Sequence, residues 1–292
     1  MSSAPRVVIV HRRTELDELL ARHGTRGQAA FFLSSRGRDI AELEDRHQQT
    51  VRAIERVSTA VPVDWRRGTL ERADIDRFLF APDDIVVVVG QDGLVANVAK
   101  YLDGQPVVGV DPEPGRNAGA LVRHDAKDAA ELLRSTGSVE ERTMAEAVLD
   151  DGQRLLALNE VFLGHPSHQS ARYTLDVPGA GGEAQSSSGL IVSTGTGATG
   201  WCRSIALERG SQLAMPAPTE RRLLWFVREA WPSPATGASL TAGELTGGHL
   251  SVVAQSDRLV AFGDGVESDT LVIGWGQTVR LGVAAQRLRL VG

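Results

Sequence analysis

The chain contains a single cysteine, Cys202, among its 292 residues. One thiol cannot form an intramolecular disulfide framework, and it cannot supply a zinc or iron–sulfur site that needs several cysteines. This usage suits a reducing compartment, and Cys202 is expected to be a small core residue.

An excess of positive charge and long apolar runs are also missing. The net charge is −6 and the sequence pI is about 5.7, so no global basic field attracts nucleic acid or an anionic membrane. No segment approaches the roughly 20 apolar residues that a membrane-spanning helix needs. We therefore expect a cytoplasmic protein without nucleic-acid or membrane partners, in which any phosphate site is built locally.

The pattern of predicted elements changes near residue 135. Before it, strands predicted over 6–10, 61–65, 85–90 and 106–110 alternate with helices, which indicates a parallel sheet with ligands at the carboxyl ends of its strands. After it, short strands are separated by Gly, Asp or Ser turns, which is typical of antiparallel pairing. In this second half we also predict a helical insert over 219–231 and a loop over 178–182.

The fold class that follows is α/β. We predict a Rossmann-like parallel α/β domain over residues 1–135 and an antiparallel β-rich domain over residues 136–292, whose last segment is expected to pack back on the first domain. A chain of 292 residues is long enough to bury two cores.

An apolar strand runs directly into a glycine-flanked aspartate, in the sequence IVVVVGQDGL at 85–94. The β-branched run fits a strand buried on both faces, and Gly90 and Gly93 let the backbone come close to a ligand at the N-terminus of the next helix. Because phosphates repel carboxylates, Asp92 is better explained as a base for a hydroxyl, or as a group that organises Mg²⁺, than as part of an anion cradle. An Asp-Gly turn that merely ends the strand is the alternative.

Two adjacent polar residues, Asn159 and Glu160, interrupt the apolar sequence LLALNEVFL at 155–163. Neighbours on a strand face opposite sides, so at least one of them is expected to point into a polar pocket. A ribose diol would supply donors and acceptors there. A strand edge or bulge with both groups in water is the alternative.

A loop of small residues, STGTGATGW at 193–201, follows a further apolar strand. It presents backbone amides and hydroxyls with little side-chain bulk, as the close approach of a nucleotide requires. Asp264, in the sequence FGDG, is either a hairpin-turn residue or a ligand contact. His165 and His168 are interpreted as loop histidines, and no metal-ligating residue is predicted.

In this order, and over roughly residues 85–285, the segments resemble the NAD kinase family. GQDGL at 90–94 matches the family's GGDGT loop, Asn159-Glu160 its asparagine–glutamate pair, and 193–201 its STPTGSTAY segment. The phrasing is closest to the mitochondrial-type branch. Gln91, Leu94 and Trp201 replace a glycine, a threonine and a tyrosine of the family pattern.

The resemblance implies that ATP-Mg²⁺ gives its γ-phosphoryl group to the 2′-hydroxyl of the adenosine ribose of NAD, forming NADP. Asp92 would accept the hydroxyl proton, and the assembly would be a homodimer or homotetramer. Asp264 is included as a candidate because of its FGDG sequence. The candidate nucleotide-binding residues are therefore Gly90, Gln91, Gly93, Leu94, Asn159, Glu160, Ser193, Thr194, Thr196, Gly197, Thr199, Trp201 and Asp264.

Two other functions stay open from the sequence. A non-catalytic NAD(H)- or NADP-binding regulator would keep the C-terminal site and lose donor binding, which Gln91 and Leu94 favour. A kinase acting on a sugar or lipid hydroxyl is the second, because diacylglycerol-type kinases share a related glycine–aspartate loop. The Asn159-Glu160 pair and the STGTG sequence speak against it.

Overall fold

The computed structural model describes residues 4–116 and 119–292, and the chain divides into two compact units. The first unit comprises Met1–Glu140 together with Arg289–Gly292, and the second comprises Glu141–Leu288. Parallel strands with helices form the first unit and antiparallel strands dominate the second, so the predicted α/β fold class is confirmed.

The first unit is a parallel sheet with helices. Its strands are β1 (Arg6–His11), β2 (Arg66–Glu71), β3 (Asp84–Val89) and β4 (Pro106–Val110), and its helices are α1 (Glu15–His23), α2 (Arg26–Ser34), α3 (Ile40–Ala60), α4 (Asp92–Ala99) and α5 (Ala129–Leu132). The strand order is β2-β1-β3-β4, and the final residues of the chain extend it, because Arg289 and Leu290 pair in parallel with Pro106 and Val107.

Strand β3 lies in the centre of this sheet and is buried along its whole length. Its isoleucine and valines suit a strand covered on both faces, and α3 contributes Ala53 and Val57 to the same apolar cluster. The one charged residue of the strand, Asp84, is fully buried and accepts hydrogen bonds from Nε and Nη2 of Arg6 at 2.8 and 2.6 Å. This ion pair ties β1 to β3.

The order of the strands creates a switch point between β1 and β3. From β1 the chain goes first to β2 on one side and then to β3 and β4 on the other. At such a point the connections leave in opposite directions, and a crevice opens at the carboxyl ends of the two central strands. In this unit those ends are His11 and Val89, which are paired partners.

The second unit consists of antiparallel strands and one helix, α6 (Trp201–Glu208). Its strands are β5 (Val139–Leu149), β6 (Arg154–Ala157), β7 (Glu160–Gly164), β8 (Ala171–Val177), β9 (Gly181–Ser187), β10 (Gly189–Ser193), β11 (Leu223–Arg228), β12 (Ala242–Leu245), β13 (His249–Ala254), β14 (Arg258–Gly263), β15 (Thr270–Gly274) and β16 (Thr278–Val291). The first residues of β5 and the last of β16 belong to the first unit.

These strands form two sheet regions around one core. One contains β16-β13-β8-β9 with β5 and β6, and the other is the six-stranded sheet β12-β11-β10-β7-β14-β15. Alternate residues of both, such as Leu163, Leu175 and Leu259, meet in a cluster that excludes water. Helix α6 packs on the opposite face of the six-stranded sheet through Cys202 and Ile205.

Several predicted elements are wrong. The helix predicted over 219–231 is strand β11, since its five consecutive apolar residues from Leu223 are all buried in a sheet. The loop predicted over 178–182 is confirmed at 178–180, which form a turn, and is wrong at 181 and 182, where strand β9 begins. The strand predicted over 61–65 begins at Arg66 instead, after a turn.

Among the described residues, no helix combines the length and the apolar character that crossing a bilayer requires.

Candidate functional site

The GQDGL loop lies at the switch point of the first unit. Gly90 follows β3 and donates its N–H to the Val110 carbonyl at 3.1 Å, and Asp92 is the first residue of α4. Gln91 is the N-cap residue, but its side chain makes no capping hydrogen bond. Since the first N–H groups of a helix lack intrahelical acceptors, the start of α4 favours an anion or a carboxylate.

The Asp92 carboxylate is held by three backbone donors. Its Oδ1 accepts hydrogen bonds from the N–H groups of Leu121 and Val122 at 2.8 and 2.9 Å, and its Oδ2 accepts one from Ala120 at 2.9 Å. Three such donors fix the orientation of the carboxylate. Asp92 therefore anchors the segment after β4, a role that its position in the sequence does not reveal.

Gly90 and Gly93 differ in whether the surrounding protein leaves space for a side chain. A Cβ atom at Gly90 would lie 3.0 Å from Cδ2 of Leu94, which is a tight contact. One at Gly93 would meet no atom within 4 Å. Leu94 is buried at 5% exposure, whereas Gln91 is exposed. The fold thus leaves Gly93 open, and only a ligand would make a side chain there costly.

The strand order adds three residues that the sequence analysis missed. His11 is the last residue of β1, which pairs directly with β3, and Arg12 and Arg13 follow it. The side chains of Arg12 and Arg13 are 60% and 66% exposed, with carboxylates at 3.3 and 3.9 Å. Their positive charge lies at the switch point, where phosphate groups would be expected. Only the order of the strands in the sheet identifies these three residues, and that order cannot be read from the amino-acid sequence around them.

In the second unit, Asn159 lies in a break between β6 and β7. Its backbone N–H donates to Oδ1 of Asp264 at 2.6 Å, and its carbonyl accepts the N–H of Thr194 at 2.9 Å. The side-chain amide forms no hydrogen bond with any described residue and is half-buried. The backbone is therefore fixed while the amide stays available.

The loop after β10 is held to this break by side chains of its own. The Thr194 hydroxyl donates to the Leu158 carbonyl at 2.5 Å and accepts from the N–H groups of Thr196 and Gly197. Ser193 Oγ donates to the Asn159 carbonyl at 3.3 Å. Ser193 and Thr194 are both fully buried, so they shape the loop rather than face solvent.

The glycine at 197 is required by close packing. A Cβ atom there would lie 2.2 Å from the Asn159 carbonyl oxygen, a distance that real Cβ atoms do not show. Thr199 is exposed, and its hydroxyl donates to the Thr196 carbonyl at 3.1 Å. Thr196 is buried at 7% exposure, and its hydroxyl has no hydrogen-bond partner among the described residues. A buried hydroxyl of this kind can be satisfied by an ordered water or by a ligand atom.

Glu160 and Asp264 form a pair of neighbouring carboxyl groups with different surroundings. Asp264 adopts a left-handed backbone, with φ of 55°, and its carboxylate accepts from the N–H groups of Leu158 and Asn159. Among the described residues, no N–H group donates to the Glu160 carboxyl. Burial, and secondly the charge of Asp264, raise the pKa of Glu160 to about 7. Asp264 thus fixes the backbone at Leu158 and Asn159, whereas the Glu160 carboxyl accepts no hydrogen bond from the described residues.

Trp201 begins α6 and stacks on Phe162 of β7. The ring centroids are 5.7 Å apart with an interplanar angle of 17°. The guanidinium carbon of Arg228 lies over the Trp201 ring, 5.3 Å from the ring centroid. Because Phe162 and Glu160 lie on the same face of β7, the aromatic stack adjoins the Glu160 carboxyl.

The described residues contain no group of three or more His, Cys, Asp or Glu side chains arranged to hold a metal ion. Mg²⁺ in phosphoryl-transfer sites is usually held by substrate phosphates with one or two carboxylates.

The structure places the predicted site residues in two groups. Gly90 to Leu94 lie together in the first unit, and the others, from Asn159 to Asp264, lie together in the second. The first group forms a glycine–aspartate loop at the start of α4, and the second adjoins the break between β6 and β7.

Comparison with known proteins narrows the class of protein. No protein-family model matches the chain. The chain is 35% identical over 145 residues to an NAD kinase of Methylococcus capsulatus, an alignment that covers 46% of this chain and 47% of that protein. It is 27% identical over 254 residues to the mitochondrial NAD kinase 2 of Rattus norvegicus, covering 68% and 60% of the two chains.

These two similarities support the resemblance to the NAD kinase family. The alignments span about half to three fifths of the length of these curated relatives.

Proposed function

We propose that the protein is an NAD kinase, which transfers the γ-phosphoryl group of ATP-Mg²⁺ to the 2′-hydroxyl of the adenosine ribose of NAD. The observation that carries this proposal is the break at Asn159. Its backbone is locked by Thr194 and Asp264, while the Asn159 amide and the Glu160 carboxyl lack partners among the described residues. An amide and a carboxylate are both groups that can bind ribose hydroxyls.

In this proposal, residues of the second unit bind the dinucleotide and residues of the first unit bind the triphosphate of the donor. Asn159, Glu160, Thr196 and Thr199 contact the dinucleotide, while Ser193, Thr194, Gly197 and Asp264 hold the backbone that presents them. Trp201 borders the ribose site from α6. The start of α4, with Gly90, Gln91, Gly93 and Leu94, receives the triphosphate of the donor.

Asp92 receives the acceptor hydroxyl. Phosphoryl transfer passes through a loose transition state in which positioning and charge stabilisation count for more than proton removal. Oδ2 of Asp92 accepts only one backbone N–H, so it keeps a lone pair for the ribose hydroxyl. The hydroxyl proton passes to this oxygen as the new O–P bond forms, while the bond from the γ-phosphorus to the β–γ bridging oxygen breaks and ADP leaves with that electron pair. A carboxylate already fixed by three donors needs no reorientation for this step.

The test is to incubate the purified protein with ATP, Mg²⁺ and NAD and to assay NADP with an NADP-specific dehydrogenase. We expect NADP to form, and Asp92→Asn to lower turnover by about 10²–10⁴ with NAD affinity within a few-fold of the wild type. If Asp92 only anchors residues 120–122, the variant will lose thermal stability and yet turn over near-normally when folded. NADP formation above about a tenth of the wild-type rate would exclude the proton-accepting role.

A non-catalytic NAD-binding regulator is the second candidate, and two features favour it. Gln91 makes no cap, and Leu94 buries an apolar side chain where the family pattern has a hydroxyl. Both changes fall at the donor side. This candidate predicts that NAD raises the melting temperature and that ATP-Mg²⁺ adds nothing further, since a ligand stabilises in proportion to its binding to the folded state.

Arg12 and Arg13 separate the two candidates further. If the triphosphate binds at the switch point, Arg12→Gln with Arg13→Gln will raise the KM for ATP by about tenfold while leaving the KM for NAD unchanged. Arg77→Gln, an exposed arginine of the same unit, is the control. Equal KM values for ATP in all three proteins would remove the arginines from the donor site.

A further inference from the structure

A groove in the first unit is lined by the end of α1 and by one side of α2. Its volume is about 520 Å³, a size that is common among small-molecule sites. Phe31 and Phe32 of α2 line it together with Arg36, which follows the helix, and their spacing places them on one helix side. Arg22 and His23, the last residues of α1, line it as well.

The charge of this groove is positive and is not neutralised by carboxylates. Arg22 and Arg36 line it, and no Asp or Glu is among its described lining residues. The neighbouring Arg26 and Arg38 each pair with a glutamate, at 2.5 and 2.7 Å. Within the described part of the chain, no such partner contacts Arg22 or Arg36. In a chain of net charge −6, two unpaired arginines in one groove indicate an anionic ligand.

The Arg36 side chain is already held in place. Its guanidinium carbon lies 3.8 Å from the centroid of the Phe32 ring, and its Nη1 donates to the Phe32 carbonyl at 3.1 Å and to Ser35 Oγ at 3.0 Å. Nε and Nη2 donate to no described residue. These two nitrogens form a planar fork that matches two oxygens of a phosphate. Because the side chain is fixed, less conformational freedom is lost when a phosphate binds.

Phe31 adds an aromatic surface to the same groove, and it is 76% exposed. The helix dipole favours cations near the ends of α1 and α2, but it gives no reason for an exposed phenylalanine beside them. His23 packs on Phe32 with ring centroids 4.5 Å apart. Its Nε2 is shielded from solvent and has no hydrogen-bond partner among the described residues. The lining therefore combines cations, an open ring face and an unsatisfied polar atom.

We propose that this groove binds a nucleoside phosphate. Arg22 and Arg36 bind the phosphate oxygens, and the base stacks on the ring of Phe31. A buried nitrogen such as Nε2 of His23 is satisfied by an ordered water or by a ligand atom, and a ribose hydroxyl is such an atom.

This site is distinct from the residues proposed for NAD and ATP, none of which lines the groove. Binding of AMP is measured without phosphoryl transfer, so the two proposals fail separately. A protein that forms no NADP would still bind AMP here, and a protein that ignores AMP would still be tested by the NADP assay.

The first experiment tests the arginines by calorimetry with AMP. Arg22→Gln with Arg36→Gln should raise the Kd for AMP by about tenfold or more, through lost charge-assisted hydrogen bonds. Arg26→Gln with Arg38→Gln is the control, because it removes the same net charge from the same part of the chain outside the groove. It should leave the Kd within about twofold, since exposed ion pairs contribute little. A wild-type protein that does not bind AMP, or equal Kd values in the two double variants, overturns the proposal.

The second experiment tests recognition of the base. Phe31→Ala should raise the Kd for AMP by about tenfold and leave that for ribose 5-phosphate, which lacks a base, unchanged. Leu79→Ala, at an 88% exposed leucine of the same unit, should change neither value. Since Phe31 is exposed, its truncation should not alter the melting temperature. If ribose 5-phosphate binds the wild type as tightly as AMP, or if Phe31→Ala weakens both probes alike, the groove does not recognise a nucleoside and the proposal is wrong.

Discussion

Glu160 is a largely buried carboxyl group that lies near the Asp264 carboxylate and accepts no hydrogen bond from the described residues. Its pKa of about 7 exceeds the usual value of 4.5, because burial and Asp264 disfavour the charged form. The folded state therefore binds more protons than the unfolded state between these two values, and stability falls as the pH rises from about 4.5 to 7.

Removing this charge should stabilise the protein at alkaline pH. We expect Glu160→Gln to raise the free energy of unfolding by about 1–2 kcal/mol at pH 8, with the difference vanishing below about pH 4.5. Denaturant titrations of both proteins at several pH values measure it. A difference that stays constant with pH would show that the carboxyl does not titrate in this range.

The same residue predicts how nucleotide binding depends on pH. Ribose hydroxyls donate hydrogen bonds more strongly to a carboxylate than to a carboxylic acid. On the proposed function, NAD affinity should rise as the pH rises through about 7, and Glu160→Gln should flatten that profile. Calorimetric titrations at pH 6 and pH 8 compare the two proteins. A wild-type affinity that is level across this range would separate Glu160 from the ribose.

Gly93 distinguishes a requirement of the ligand from one of the fold. Gly93 and Gly27 each occupy the second position of a helix, and a Cβ atom at either would meet nothing within 4 Å. Alanine at both positions should preserve or slightly raise stability. If phosphate approaches the backbone at Gly93, Gly93→Ala should lower NADP formation by about tenfold or more, whereas Gly27→Ala should not lower it. Equal rates in the two variants would leave Gly93 without a ligand role.

At the scale of elements, much of the fold follows from the sequence. The alternation of apolar and polar residues predicts β8 at its observed bounds, and the continuous valines of β3 predict a strand buried on both faces. The same reasoning gives the wrong element for β11, because five consecutive apolar residues fit a buried helix or a buried strand equally well. Only the pairing of β11 with β10 decides between them.

The site shows a similar division between local and non-local information. Asn159, Glu160 and the loop at 193–201 stand out because polar residues interrupt apolar runs. The bonds from Ala120, Leu121 and Val122 to Asp92 join residues about 30 positions apart, and no local pattern contains them. The same holds for the hydrogen bonds from Leu158 and Asn159 to Asp264, which a hairpin signal at Asp264 does not predict.

The loop between β10 and α6 yields a prediction on stability. Gly197→Ala would force a Cβ atom against the Asn159 carbonyl, which is backbone and cannot move away cheaply. We expect a loss of about 2 kcal/mol in the free energy of unfolding, together with weaker NAD binding, because the break at Asn159 shifts. Gly247→Ala, at an open position of the same unit, is the control. An unchanged melting temperature for Gly197→Ala would mean that the loop adapts.

At the scale of the whole molecule, the division of β16 between the two units is the informative feature. Leu288 belongs to the second unit and Leu290 to the first, and they are 2% and 0% exposed. Leu290 pairs with Val107 of β4, and the Val291 carbonyl accepts a hydrogen bond from the His124 ring at 3.1 Å. The end of the chain therefore completes the sheet of the first unit.

Truncating these two leucines should affect different units although only one residue separates them. Each Leu→Ala change should cost about 2–5 kcal/mol through lost burial and the cavity that remains. Hydrogen exchange should accelerate most in β3 and β4 for Leu290→Ala and most in strands of the second unit for Leu288→Ala, because local opening follows the unit that loses the contact. Mass spectrometry of peptides from the two units reads both out in one experiment. Identical exchange patterns in the two variants would show that the units unfold together, and β16 would then act as one continuous element of a single cooperative fold.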